Sequence, residues 1–226
     1  MYKIKLTETI ENYLESIYNM QDEGTKVIAA RLAERLGVKP PTVSQTLQRM
    51  TRDGLIKIDG NEITFTKKGR EVAEAAIRRH RLVERFMTDF LGIGWAVAHE
   101  EAEKLQHAMS DLIEQKMAEA LGNPKSCPHG NPIPGMQSTK LPSDALTLDA
   151  TTTGQRVTIL RITEEGERDP RLLDYLQKSD LMPGTSVTVD EVAPWSGVIT
   201  LNVAEAQIPI GLKAARTIWV QPAHPS

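Results

Sequence analysis

The sequence predicts a mainly α-helical protein that ends in a small β domain. Three observations predict it. Apolar residues recur with a helical period from Ile10 to about Leu121. Two of the short helices are followed by a hairpin signature. Beyond Gln155 the chain alternates Val, Ile and Thr with polar residues in short runs.

The first helix is opened by Thr7 as N-cap and carries Ile10, Tyr13, Leu14, Ile17 and Tyr18 on one face. "TKVIAARLAERLGV" reads as a second helix closed by Gly37. "PPTVSQTLQRMTRDGLI" reads as a third, with Pro41 near its first turn and Gly54 past its end. The strands "LIKI" and "EITFT", joined by "DGN", complete a winged helix-turn-helix. Two longer amphipathic helices follow, "KKGREVAEAAIRRHRLVERFMTDFLGI" and a stretch from about Val97 to Leu121, with "GIGWA" as the loop between them. From Gly122 to about Leu148 the composition turns to Pro, Gly, Ser and Asn, an ordered turn and then a linker. "QRVTILRI", "TSVTVDEV", "GVITLNV" and "TIWVQP" read as the strands of a small, all-β barrel. The expected boundaries are 1–68, 69–140, a linker at 141–150, and 151–226.

The 226 residues carry a formal net charge of -3, and no apolar run reaches the roughly 18 residues a membrane helix needs. The charged start lacks a signal peptide's apolar core, and a lone cysteine, Cys127, excludes an internal disulfide framework. A cytoplasmic protein with no membrane partner is expected.

Charge is unevenly spread. Between Lys26 and Lys57 the basic residues Lys26, Arg31, Arg35, Lys39, Arg49, Arg52 and Lys57 face only Glu34 and Asp53. Such a segment can neutralise phosphates. Pro41 and Thr42 at the start of the third helix suit thymine methyls, and Ser44 and Gln45 suit hydrogen bonds to base edges. Arg31, Lys39, Pro41, Thr42, Ser44, Gln45 and Arg49 are therefore the candidate DNA-binding residues.

The second chemistry is metal binding. The histidines are His80, His99, His107, His129 and His224. His80 and Glu84 are one helical turn apart. His99, Glu103 and His107 form a stripe in "HEEAEKLQH" with Gln106 beside them, and "CPHG" presents Cys127 and His129 in a tight loop. The spacing departs from HExxH, because residue 103 is Glu, and from the repeated E-x-x-H of di-iron bundles, because Gln106 follows Glu103. No nucleophile, acid–base pair or phosphate loop is present. Regulation by metal therefore fits better than catalysis, and neither enzyme activity nor a small organic substrate is expected.

"PTVSQT", "HRLVERF" and "GNPIPG", in this order and spacing, resemble the diphtheria toxin repressor family of metal-dependent transcriptional repressors, essentially end to end, and its manganese-responsive branch in particular. The resemblance implies a helical dimerisation and metal-binding domain, a C-terminal SH3-like barrel, and cytoplasmic homodimers that bind palindromic operator DNA when Mn(II) or Fe(II) is abundant, repressing metal uptake. It places one metal site on Asn12, Glu103, Gln106 and His107, with Glu15 as a further carboxylate. It places a second site on His80, Glu84 and His99, or alternatively on Glu84, Cys127, His129 and an aspartate nearest to Asp169. Metal at the first site would tie the N-terminal helix to the dimer helices and set the spacing of two recognition helices. Iron-type members carry cysteine where this chain has Glu103 and methionine where it has Asn12, so the harder donors here favour Mn(II), with Fe(II) the alternative. A winged-helix regulator not gated by metal is the rival outside this scheme, and activation of individual genes stands beside repression.

Overall fold

The computed structural model describes residues 7–136, 141–204 and 206–223; His224 lies outside the described residues. The chain divides into two compact units, Met1–Arg79 and His80–Ser226.

In the first unit α1 (Glu8–Asp22), α2 (Ala29–Leu36) and α3 (Pro40–Arg52) precede the hairpin β1 (Ile56–Asp59) and β2 (Glu62–Phe65). α1 buries Ile10, Tyr13, Leu14, Ile17 and Met20 against Leu32 of α2, Val43, Leu47 and Met50 of α3, and Ile56 and Ile63 of the hairpin. Gly37 ends α2 at φ 64°, a left-handed conformation that glycine adopts without penalty. Pro40 starts α3, where a missing N–H costs nothing. The antiparallel register Ile56↔Phe65 to Asp59↔Glu62 leaves Gly60 and Asn61 as the turn, and Ile63 donates to the Val27 carbonyl, fastening the wing to the helices.

α4 (Lys67–Asp89) begins where Thr66 Oγ1 accepts from the Gly69 N–H at 3.0 Å. A Cβ at Gly69 would stand 1.7 Å from the Leu55 carbonyl oxygen. Backbone cannot retreat as a flexible side chain can, so Gly69→Ala is expected to destabilise the protein by about 3 kcal/mol, the upper part of the usual overpacking cost. Urea unfolding of the full chain checks this, and a loss below measurement error would show that the contact yields.

The second unit takes in the rest of α4, then α5 (Trp95–Leu105), a 3-10 turn at Gln106–Ala108 and α6 (Asp111–Ala120). The expected continuous helix from Val97 to Leu121 is thus broken. Met109 is extended at ψ 128°, and the Ser110 hydroxyl accepts from the Ile113 N–H to cap a new helix whose first turn carries Asp111 and Glu114. A short loop around Cys127–Asn131 leads towards the sheet domain.

There β3 (Leu146–Thr147) and β4 (Arg156–Ile162) precede α7 (Glu164–Glu167) and α8 (Pro170–Lys178). β5 (Ser186–Ala193), β6 (Val198–Val203), β7 (Ala206–Gly211), α9 (Leu212–Ala215) and β8 (Ile218–Pro222) follow. The six strands form an antiparallel sheet in the order β3-β8-β4-β5-β6-β7, bent by irregularities at Ile159/Arg161 and Val189/Glu191. Alternating Val157, Ile159, Val187, Val189, Ile199, Leu201 and Val220 fill its interior, and Trp95 of α5 and Leu173 and Leu176 of α8 join that core. The all-β expectation needs correcting, since α8 is a packed element of this domain. The strands were recognisable except β3, which lies in the expected linker, and β7, an edge strand carrying Pro209.

Candidate metal centre

The second unit encloses a group of ionisable side chains that its own elements bring together. His80 and Glu84 sit one turn apart on α4, so both project from one helix face. His99 comes from α5 and is buried. The Glu84 carboxylate lies at the centre: its Oε1 is 3.1 Å from His80 Nε2, 2.8 Å from His99 Nδ1 and 3.7 Å from His129 Nδ1.

Cys127 and His129 arrive on a loop whose shape the backbone fixes. Cys127 N–H donates to the Asn131 carbonyl, Gly130 N–H donates back to the Cys127 carbonyl, and Ile162 at the end of β4 donates to the His129 carbonyl. Gly130, at φ 87°, presses so closely on β4 that a Cβ would lie 2.3 Å from the Leu160 carbonyl oxygen. Asn131, buried in the same loop, donates through Nδ2 to the Ile162 carbonyl and to Glu167 Oε1. The loop, the strand end and the Glu167 carboxylate are therefore positioned together.

Glu164 and Glu167 on α7 supply two carboxylates that the sequence reading did not include. Glu167 is buried, with Oε1 3.2 Å from His129 Nδ1 and Oε2 3.6 Å from His99 Nδ1. Among the described residues, three sets of ligand atoms lie within 4.8 Å of one another: His80, His99 and Glu164; Glu84, Cys127 and His129; and Glu84, His99 and Glu167. Asp169 is absent from them. It caps α8 by accepting from the Arg171 N–H and pairs with the Arg171 guanidinium at 3.0 Å, half-exposed, two residues past Glu167. The useful sequence signal was Asp-Pro, the N-cap and first residue of a helix, which places Asp169 outside the cluster and leaves Glu164 and Glu167 before it.

The electrostatics fit a cation site. Burial alone would raise the Glu84 carboxyl, but His80 and His129 outweigh it and hold it well below the usual carboxylate range. Burial would lower His129; Glu167 and Glu84 overcome that and raise it well above the ordinary imidazole value. His99 is raised in the same way, burial being outweighed chiefly by its bond to Glu84. Burial, reinforced by Glu167 and Glu84, pushes the Cys127 thiol up to about 11. The buried Glu84 carboxylate is thus held charged by imidazoles. Glu84 Oε2 and His129 Nε2 are buried without a hydrogen-bond partner, a costly arrangement unless a ligand completes it. Carboxylate oxygens and imidazole nitrogens are donors suited to a divalent first-row ion, and the one thiol adds a softer donor.

The stripe His99, Glu103 and His107 is divided by the helix break. His99 faces the cluster, Glu103 is exposed and His107 is half-buried in the 3-10 turn. Gln106 is the residue that turns inward, its Oε1 2.8 Å from His80 Nδ1, while its Nε2 is 3.5 Å from His107 Nε2. Gln106 Oε1 accepts from His80 Nδ1–H and so fixes the ring with Nε2 facing Glu84 and the cluster. On α1, Asn12 is exposed and Glu15 half-buried.

The candidate DNA-binding side chains are exposed in the first unit. Pro41, Thr42, Ser44, Gln45 and Arg49 occupy the open face of α3, opposite its buried Val43, Leu47 and Met50, and Arg31 and Lys39 are exposed nearby. Arg49 lies 3.8 Å from Asp53, and Arg35 is held at 3.0 Å from Glu23, partly buried, so the basic segment is less available than its composition suggests.

The comparisons with known proteins agree along the length of the chain. Residues 5–62 match the model of the iron dependent repressor N-terminal DNA binding domain. Residues 66–135 match that of the iron dependent repressor metal binding and dimerisation domain, and residues 146–222 that of the FeoA domain. The chain is 36% identical to the iron-dependent repressor IdeR of Mycobacterium leprae, with 96% of this chain and 98% of the relative covered. It is 34% identical to the diphtheria toxin repressor of Corynebacterium diphtheriae, with the same coverage. Among solved structures, a manganese-dependent transcriptional repressor in complex with manganese superimposes with a TM-score of 0.84 at 33% identity, over 95% of this chain and 100% of that one. ScaR with bound Zn2+ gives 0.78 at 26% identity, over 95% and 99%.

Proposed function

The chain belongs to the diphtheria toxin repressor family of metal-dependent transcriptional repressors, and from that premise we propose that it is a Mn(II)-activated repressor that binds palindromic operator DNA as a homodimer in the cytoplasm. Segments 1–68, 69–140 and 151–226 are assigned DNA binding, dimerisation with metal binding, and an SH3-like support. The proposal includes no catalysis. Among the described residues no helix is long and apolar enough to cross a membrane.

The observation that carries metal gating is the buried set of carboxylates and imidazoles around Glu84, whose second oxygen has no protein partner. Preference for Mn(II) over Fe(II) rests on oxygen donors: Glu103 in the helical segment, with Glu84, Glu164 and Glu167 in the cluster. When bound, the metal supplies fixed positive charge that organises these donors. His80, Glu84, His99, Glu164 and Glu167 would hold it in the cluster, and Cys127 and His129 adjoin them. Gln106 orients His80, and Asn131 orients Glu167. Glu103 and His107, with Asn12 and Glu15 of α1, are assigned as ligands of the other expected site. The exposed face of α3 is assigned to the major groove, with Arg31, Lys39 and Arg49 on phosphates.

Metal and operator act on one conformational equilibrium, so operator DNA should tighten metal binding by the factor by which metal tightens DNA binding. Selection from a random duplex pool tests the reading without metal, with Mn(II), and with anaerobic Fe(II). Enrichment of one palindrome with Mn(II) alone supports it, enrichment with Fe(II) alone supports the iron-responsive alternative, and equal enrichment in every condition overturns metal gating. Glu103→Ala, an exposed change, should keep the wild-type melting temperature without metal yet lose Mn(II)-stimulated operator binding. Normal stimulation in that variant would remove Glu103 from the ligand set.

A further inference from the structure

We propose that the buried cluster of the second unit holds two divalent ions side by side, one on the His80, His99 and Glu164 side and one on the Cys127 and His129 side, with Glu84 shared between them. The inference rests on the metal-gated reading above and deepens it, because that reading requires only one ion here.

Seven donors, His80, Glu84, His99, Cys127, His129, Glu164 and Glu167, do not converge on one point. The sets whose ligand atoms all lie within 4.8 Å of one another have three members each. Two of these, His80 with His99 and Glu164, and Glu84 with Cys127 and His129, have no residue in common. A single ion centred on either triad therefore leaves the other triad's donors buried around nothing. Glu84 is the natural bridge. Its Oε1 already reaches His80 and His99 on one side and His129 on the other, and its Oε2 is buried with no hydrogen-bond partner, so the carboxylate stands between the two triads with one oxygen uncommitted. A shared carboxylate is a common link in two-metal sites, whose ions stand about 3.5–4 Å apart. Glu167 joins the halves from the other direction, with one oxygen towards His129 and one towards His99.

The test uses the full chain, with Mn(II) followed by electron paramagnetic resonance and Co(II) followed by thiolate-to-metal absorption. The expected result is an exchange-coupled Mn(II) signal in the wild type that is lost in both Cys127→Ser and His80→Gln, each variant binding one equivalent less. The Co(II)–thiolate band should persist in His80→Gln and vanish in Cys127→Ser. Glu164→Gln repeats the His80 arm in case that variant unfolds. Absence of any exchange-coupled Mn(II) signal in the wild type, beside the uncoupled one that the site at Glu103 and His107 gives in either case, or loss of the Co(II)–thiolate band in both His80→Gln and Glu164→Gln, means one ion in the cluster and overturns the inference while leaving metal gating intact. If Glu84→Gln leaves Mn(II) stoichiometry unchanged, the cluster takes no metal, and the inference falls together with the cluster's part in the proposed function.

Discussion

Glu84→Gln is expected to lower Mn(II) affinity at the buried cluster by more than 100-fold and to weaken the metal-free protein as well. The first effect follows because one Glu84 oxygen lies within 3.7 Å of a ring nitrogen of each of His80, His99 and His129. Losing a partner that merely orients a ligand costs about 10–100-fold in affinity, and losing the shared ligand itself should exceed that. The second effect follows from charge. Without metal, Glu84 is held ionised chiefly by His80 and His129 against its burial, and in return the protonated forms of His129 and, less strongly, His99 are favoured. Removing one partner of a buried charged group costs about 3–5 kcal/mol. The lower end, about 3 kcal/mol, is expected here because both imidazoles can lose their protons. Thermal melts with and without Mn(II) separate the two effects: the variant should melt lower than wild type without metal and gain little from its addition. An unchanged metal-induced rise in melting temperature would locate the effective ion elsewhere.

The parts of this structure that were legible in the sequence are those governed by local rules. Gly37 as a left-handed cap, a proline in the first turn of α3 (read at Pro41, with Pro40 starting the helix) and the Asp-Gly-Asn link of the hairpin each act within a few residues, so the winged helix could be drawn before any coordinates. His80, Glu84, His99, Cys127 and His129 stood out by residue type, and they meet in one cluster. Glu164 and Glu167 did not stand out. In "TEEGERDP" four acidic residues follow a strand, and only the turn of α7 decides that Glu167 is buried while Glu165 is exposed. The single helical face drawn over "HEEAEKLQH" is interrupted for a related reason. A helical wheel over 99–107 assumes that the helix continues, but it ends at Leu105, and Gln106 takes the inward place next to His80. Whether a helix stops there is decided by Ser110 capping the next one and by a side-chain bond to a residue 26 positions earlier, which no local pattern encodes. Asp169 was a matter of register: counting from the motif pointed to it, while capping chemistry assigns it to α8.

Metal binding by the cluster should strengthen steeply with pH across the neutral range. His129 is raised well above its ordinary value by Glu167 and Glu84 despite burial, so the metal-free protein carries a proton there at pH 7 that a metal must displace. Each proton released on binding makes the apparent affinity rise about tenfold per pH unit, up to the pKa of the group that loses it. The opposite sign holds for the metal-free fold. A raised His129 stabilises fully below its unfolded value of about 6.5 and loses that stabilisation as pH rises through the folded value. A lowered Glu84 stabilises above its unfolded value of about 4.3 and loses it only as pH falls through the folded value. The pair therefore supports the metal-free protein most between about pH 4.3 and 6.5, where protons compete best against metal. Raising the pH from 6 to 8 should make the metal-free protein less stable and the Mn(II)-bound protein more so, widening the gap between their melting temperatures. Calorimetric titrations of Mn(II) in buffers of different ionisation enthalpy would count the protons released. A count of zero at pH 7, with affinity flat from pH 6 to 8, would mean that His129 is already neutral and that its contacts with Glu84 and Glu167 are not ionic.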